Sequence, residues 1–217
     1  MKRNLLLGVA ALAFGLGFGN PAQATLVLEP GLVGGSGDVD NVVFAPCGLA
    51  NMSGTTVQGC LNNSHTTLVN FTGQESLTTL EGGGQARIEA TDQNGFDYVQ
   101  IKLADPSLGF SKLQFNLDAV ADGTANFTAV DQFGNVFNYN NIALDGTGQN
   151  FFTLFSNDNQ VAVSFTLTST VAIQNITDLQ QVRIGPTSLT PVPEPASLAL
   201  FGAGLLGLGL ARRWRKS

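Results

Sequence analysis

Apolar and polar residues alternate along the middle of the chain, which is the pattern of strands with one buried face. In residues 95–105, Val99, Ile101 and Leu103 share one side, and polar residues take the other. In residues 109–120, one face carries Leu113, Phe115 and Leu117, and the other carries Lys112, Gln114 and Asn116. These segments therefore predict β-strands packed on an apolar core.

About ten such segments occur, with turn residues between them and no amphipathic helix. They lie within 25–29, 66–71, 76–80, 85–91, 95–105, 109–120, 124–141, 151–155, 160–171 and 178–185. The segment 124–141 predicts a hairpin, because Phe133-Gly134-Asn135 separates its two alternating halves. Strands without intervening helices favour an antiparallel fold, and we expect an all-β, jelly-roll-like β-sandwich.

Residues 31–64 differ, since they are rich in Gly, Asn and Ser and show weak periodicity. We expect a long loop region here, held by a disulfide between Cys47 and Cys60. A zinc site is the alternative for these cysteines, but it needs two further ligands, and the chain has one histidine, His65.

The N-terminus has the three parts of a secretory signal peptide. Lys2 and Arg3 precede an apolar or glycine run over 5–19, and small residues then end at Ala24. We expect a signal peptide over 1–24, cleaved between Ala24 and Thr25. The alternative, an N-terminal anchor, is disfavoured because the run is short for a bilayer. Export also places the two cysteines in an oxidising compartment, which favours the disulfide.

Residues 25–190, the predicted β-sandwich domain, are strongly acidic, and this limits the partners that the domain can bind. Four basic residues stand against fifteen acidic ones, which leaves a net charge of −11. A domain this acidic has no electrostatic route to phosphate backbones, so nucleic acid is excluded as a partner.

The last 27 residues, 191–217, have a different character. Three prolines alternate with other residues and keep the segment around Glu194 extended. An uncharged apolar run over about 196–211 follows and predicts a single transmembrane helix. A basic cluster ends the chain: Arg212, Arg213, Arg215 and Lys216. Under the positive-inside rule this cluster stays cytoplasmic and leaves the domain on the other side of the membrane.

These three parts, in this order, resemble the PEP-CTERM sorting signal of Gram-negative bacteria. The motif itself is Val192-Pro193-Glu194-Pro195. The resemblance implies recognition by an exosortase, a membrane-embedded transpeptidase that cuts near the motif, so that the carrier protein is its substrate. It also implies a final place at the cell surface or in the extracellular or biofilm matrix.

Candidate chemistry in the domain is sparse. No nucleophile, metal-protease or phosphate-loop motif is present, and the scattered carboxylates do not single out an acid–base pair, so we expect no enzyme and no cofactor. Asp38, Asp40 and Asn41 offer oxygen ligands in a Gly-rich loop, as calcium sites do, but without a complete EF-hand pattern, and we assign no metal.

Two functions stay open at this point. The first is an exported structural or interaction protein of the surface or matrix. The alternative is a carbohydrate-binding module for an exopolysaccharide, for which Tyr98 and Tyr139 are the candidate stacking residues, since the domain has no Trp. The competing interpretation of both tyrosines is a half-buried ring with its hydroxyl at the rim.

Overall fold

The computed structural model describes residues 25–35, 37–82, 85–157, 160–173 and 179–189. The predicted signal peptide, the sorting motif, the transmembrane helix and the basic cluster lie outside the described residues. In the described ranges no helix is long and apolar enough to cross a membrane. Among the residues that the structure describes, one short 3-10 helix, Ala45–Cys47, accompanies twelve strands. The strands are β1 Leu26–Pro30, β2 Asp40–Val43, β3 Ser53–Leu61, β4 Ser64–Gly82, β5 Gln85–Ala90, β6 Phe96–Leu103, β7 Leu108–Leu117, β8 Gly123–Asp131, β9 Val136–Leu144, β10 Asn150–Ser156, β11 Ala162–Ile173 and β12 Leu179–Ser188.

The strands are antiparallel, as the alternation predicts, but they do not form a sandwich. The hydrogen-bonded path β7-β12-β2-β3-β4-β6-β11 returns to β7, because Phe110 on β7 pairs with Ala162 on β11. The result is a closed barrel of seven strands rather than two separate sheets. The predicted sandwich is therefore wrong, since alternation reports which side of a strand is buried and not which strands are neighbours.

Two pairs of strands extend from the barrel where β7 and β11 meet. β10 and β1 continue from β7, and β8 and β9 continue from β11. Their phenylalanines pack against those of the barrel strands: Phe115 lies 5.2 Å from Phe165, and Phe127 lies 5.1 Å from Phe152, between ring centroids. This buried cluster joins the two extensions and forms one continuous core with the barrel.

The long loop predicted for residues 31–64 is also wrong in its second part. β2, the 3-10 helix and β3 occupy most of it. β3 has few apolar residues, and at one buried position, Gly59, packing excludes a side chain. A Cβ there would lie only 2.6 and 2.8 Å from the side chains of Val42 and Phe44. The absence of a side chain at Gly59 therefore leaves the space in which Phe44 packs against β3.

Candidate functional site

The disulfide between Cys47 and Cys60 is confirmed. β2 pairs with β3 so that Val43 lies opposite Cys60. The 3-10 helix that follows β2 turns Cys47 back over β3, and the two Cα atoms lie 6.3 Å apart. The bridge therefore fastens the 3-10 helix to a barrel strand, and neither cysteine is left for zinc.

The three residues that were considered as possible calcium ligands, and not assigned as a metal site, have separate partners. Asp38 forms an ion pair with Lys112, at 3.0 Å between Oδ1 and Nζ. The Asp40 carboxylate accepts the Asn63 backbone N–H at 2.8 Å, and the Asn41 amide oxygen accepts from Arg183 Nε at 3.1 Å. The described residues contain no group of three or more His, Cys, Asp or Glu side chains that could hold a metal ion.

The first part of the Gly-rich segment, residues 31–35 and 37–39, forms a strap over the outside of β7 and β10. Lys112, with a side chain only 7% exposed, donates to the carbonyls of Gly34 and Gly35 at 3.1 and 2.9 Å. Thr153 donates to the Gly31 carbonyl at 2.7 Å and accepts from the Val33 N–H at 3.0 Å. The strap is therefore held on β7 and β10 by hydrogen bonds to its backbone N–H and C=O groups, which glycines leave accessible.

Under and beside the strap, the polar face of β7 is buried rather than solvated. Gln114 donates to the Val33 carbonyl, but its Oε1 has no hydrogen-bond partner in the described structure, and neither has the Asn116 side chain. Gln180 lies opposite Asn116 on β12, and its Nε2 is likewise unpaired. These three side chains are therefore buried amides, each with at least one atom that has no partner among the described residues.

The two tyrosines that were candidates for sugar stacking, Tyr98 and Tyr139, have different surroundings in the structure. The Tyr139 hydroxyl donates to the Leu26 carbonyl at 2.6 Å, and burial raises its pKa to about 12. Tyr139 is thus a half-buried ring that joins β9 to β1. Tyr98 is also half-buried, but it stands on the outer face of β6, opposite Thr168 of β11.

An extended polar surface surrounds Tyr98. One row of side chains crosses six strands, with Thr56, Thr72, Gln100, Thr166, Thr128 and Asn138 as successive cross-strand neighbours. We call the surface formed by this row and its outward-facing neighbours the hydroxyl–amide face. It comprises Thr56, Gln58, Asn70, Thr72, Tyr98, Gln100, Lys102, Asn126, Thr128, Asn138, Thr166 and Thr168. Sequence reasoning missed this face, although the alternation places each residue on the side opposite the core.

Two carboxylates line the same depression of about 230 Å³, where β6 begins and β11 ends. Glu75 and Asp97 line it together with backbone and small side chains of residues 169–172. Burial raises the pKa of Glu75, and the charges of Asp92 and Asp97 raise it further. The proximity of these carboxylates therefore disfavours ionisation of Glu75.

The last strand of the described domain, β12, ends at Ser188. The C-terminal segment 191–217, called the tail below, follows shortly after it in the sequence. A family model for the PEP-CTERM protein-sorting motif matches residues 191–216. No curated protein and no solved structure matches the chain. The match spans the predicted motif Val192–Pro195, the apolar run and the basic cluster in one continuous segment. Residues 191–216 of this chain are therefore a PEP-CTERM protein-sorting motif.

Proposed function

We propose that this protein is an exosortase substrate whose tail delivers a β-barrel domain to the cell surface or extracellular matrix of a Gram-negative bacterium, where the domain has a structural or interaction role. The observation that carries this proposal is the sorting motif, which marks an exported protein that an exosortase processes. The position of the motif supports it too, since the motif begins three residues after the last strand.

A non-enzymatic role is part of the proposal. Within the described ranges, the carboxylates Asp38, Asp40 and Asp131 serve internal hydrogen bonds or an ion pair. Exposed Asp92, Asp105 and Asp145 accept hydrogen bonds from their own turns. These groups build loops, and their chemistry suits a scaffold that presents a surface.

The test is the substitution Glu194→Ala in the full chain, expressed in a host that contains the cognate exosortase. We expect the domain to fold and to stay membrane-bound at unprocessed length, because the motif that the enzyme recognises has lost its carboxylate. The measurement is the ratio of unprocessed to processed protein in a pulse-chase experiment. Glu29→Ala, at an exposed position of β1, is the matched control. Equal processing of the parent and both variants would refute the sorting role.

A further inference from the structure

The hydroxyl–amide face is distinguished by its lack of charge. Of its twelve residues only Lys102 is charged, in a domain with four basic and fifteen acidic residues. The acidic residues concentrate elsewhere, many of them in turns, as Asp92, Asp105 and Asp145 do. A broad uncharged area on so acidic a domain points to a partner that is itself uncharged.

Hydrogen-bonding groups on this face are aligned and only partly used. Thr56 and Thr72 share one hydrogen bond at 3.0 Å, and Gln100 donates one N–H to Thr166 at 3.3 Å. Thr128 donates to Asn138 at 3.0 Å. A hydroxyl can donate once and accept twice, and an amide can make about four hydrogen bonds. Each pair therefore holds its members in place and leaves part of their hydrogen-bonding capacity for a partner.

The row is also long. Six strands spaced about 4.8 Å apart give it a contour length of about 24 Å along the curved barrel wall and its β8–β9 extension. The rigid support beneath it is the core, since the alternating residues Phe71, Ile101 and Phe127 are no more than 1% exposed. A row of this length can contact several units of a polymer at once, so weak contacts add up along the chain.

The chemistry of the face selects among partners. An apolar partner would leave its hydroxyls and amides without water or hydrogen bonds, which is costly. A polyanion such as nucleic acid, an acidic polysaccharide or an anionic membrane would meet one lysine and a repelling domain. Sugar hydroxyls both donate and accept, as the face requires, and Tyr98 adds one aromatic ring for the apolar side of a sugar.

We infer that the hydroxyl–amide face binds an uncharged polysaccharide lying across β3, β4, β6, β11, β8 and β9. The inference rests on the proposed function only in that the tail brings this face outside the cell. The binding itself belongs to the domain and is measured separately from processing.

The test uses the full mature chain in detergent micelles and measures retention by immobilised or co-electrophoresed polysaccharides. The probes are cellulose, a soluble mixed-linkage β-glucan and dextran as uncharged polymers, with alginate as the acidic one. We expect saturable retention by at least one uncharged polymer and none by alginate. Retention by alginate alone, or by no polymer, overturns the inference.

Variants then locate the site. Gln100→Glu puts a charge at the centre of the row without changing side-chain volume, and should weaken binding about tenfold or more, as expected from the loss of one or two hydrogen bonds. The control Gln149→Glu makes the same change at an exposed position between β9 and β10, and should bind like the parent. The double variant Thr128→Val, Thr166→Val removes two hydroxyls and keeps β-propensity, so it tests the face even if Gln100→Glu does not fold. Binding unchanged in this double variant places the polymer elsewhere and overturns the inference, whatever the outcome for Glu194→Ala processing.

Discussion

At the scale of a single residue, Glu75 is a side chain whose ionisation we expect to cost stability. Its pKa is raised by burial and by the neighbouring charges of Asp92 and Asp97. A carboxyl group with a raised folded pKa favours the folded state when protonated, so ionisation costs stability. The cost is absent below the ordinary carboxyl pKa and complete above the raised one. Glu75→Gln should therefore raise the melting temperature at pH 7 by about a degree or two, the size expected for a surface charge change.

The pH dependence separates this effect from a general benefit of removing charge. At pH 3, where the parent carboxyl is already protonated in both states, Glu75→Gln should bring no gain. Glu29→Gln, at an exposed position of β1, is the control and should change little at either pH. A gain of equal size at pH 3 and pH 7 would show that the charge of Glu75 is not the cause.

The disulfide acts at the scale of elements, because it ties the 3-10 helix to β3. The bridged residues are 13 apart in sequence, and closing a loop of this size contributes about 3 kcal/mol in the chain-entropy model. Reductant should therefore lower the free energy of unfolding of the exported protein by about that amount, measured by denaturant titration. Mass spectrometry after alkylation without reductant should find neither cysteine labelled.

The double variant Cys47→Ala, Cys60→Ala serves as the control for this measurement. Its unfolding midpoint should be low and should not respond to reductant. Labelled thiols in the exported protein, or a parent midpoint that reductant leaves in place, would contradict the role of the bridge.

The elements with strong alternation were predictable from sequence, and the others were not. β6 and β7 appear where Val99, Ile101, Leu113 and Phe115 repeat at every second position. β3 was missed because packing of Phe44 requires Gly59 at a buried position, which removes an apolar residue from the pattern. The polar side of β7 was expected to face solvent, but the glycine strap covers Lys112 and Gln114 through distant backbone carbonyls. Burial by a segment that is distant in the sequence does not change the local alternation of β7, so it could not be predicted from that pattern.

At the scale of the whole molecule, the phenylalanine cluster decides whether the barrel and its extensions unfold together. Phe127 is fully buried against Phe115, Phe152 and Phe165. Phe127→Ala should lower the free energy of unfolding by about 3–5 kcal/mol, as core Phe→Ala changes do. The measurement is denaturant unfolding followed by circular dichroism.

Phe133→Ala is the control, because it makes the same substitution at the β8–β9 turn, where the side chain is 50% exposed. It should change the free energy of unfolding by no more than about 0.5 kcal/mol. Similar losses in the two variants would mean that the cluster does not join the extensions to the barrel.

The sorting motif was identifiable from sequence alone because its function depends on the order of three short segments. The closed barrel and the hydroxyl–amide face were not, because both depend on which strands become neighbours. Thr72, Gln100 and Thr166 each lie on the polar side of an alternating segment, but only the register of β4, β6 and β11 aligns them. Register between distant segments is set by the global fold.

The same strand order sets the timing of folding during export. β1 pairs along its length with β10, so that Leu26 lies opposite Ser156, and β2 pairs with β12 through Asn41 and Arg183. The first strands to cross the membrane therefore wait for the last ones. Pairings between segments this distant in sequence are slow to form, and until then the exposed strands are open to aggregation. On the proposed export route, the barrel can therefore close only after β12, the strand next to the sorting motif, has crossed the membrane.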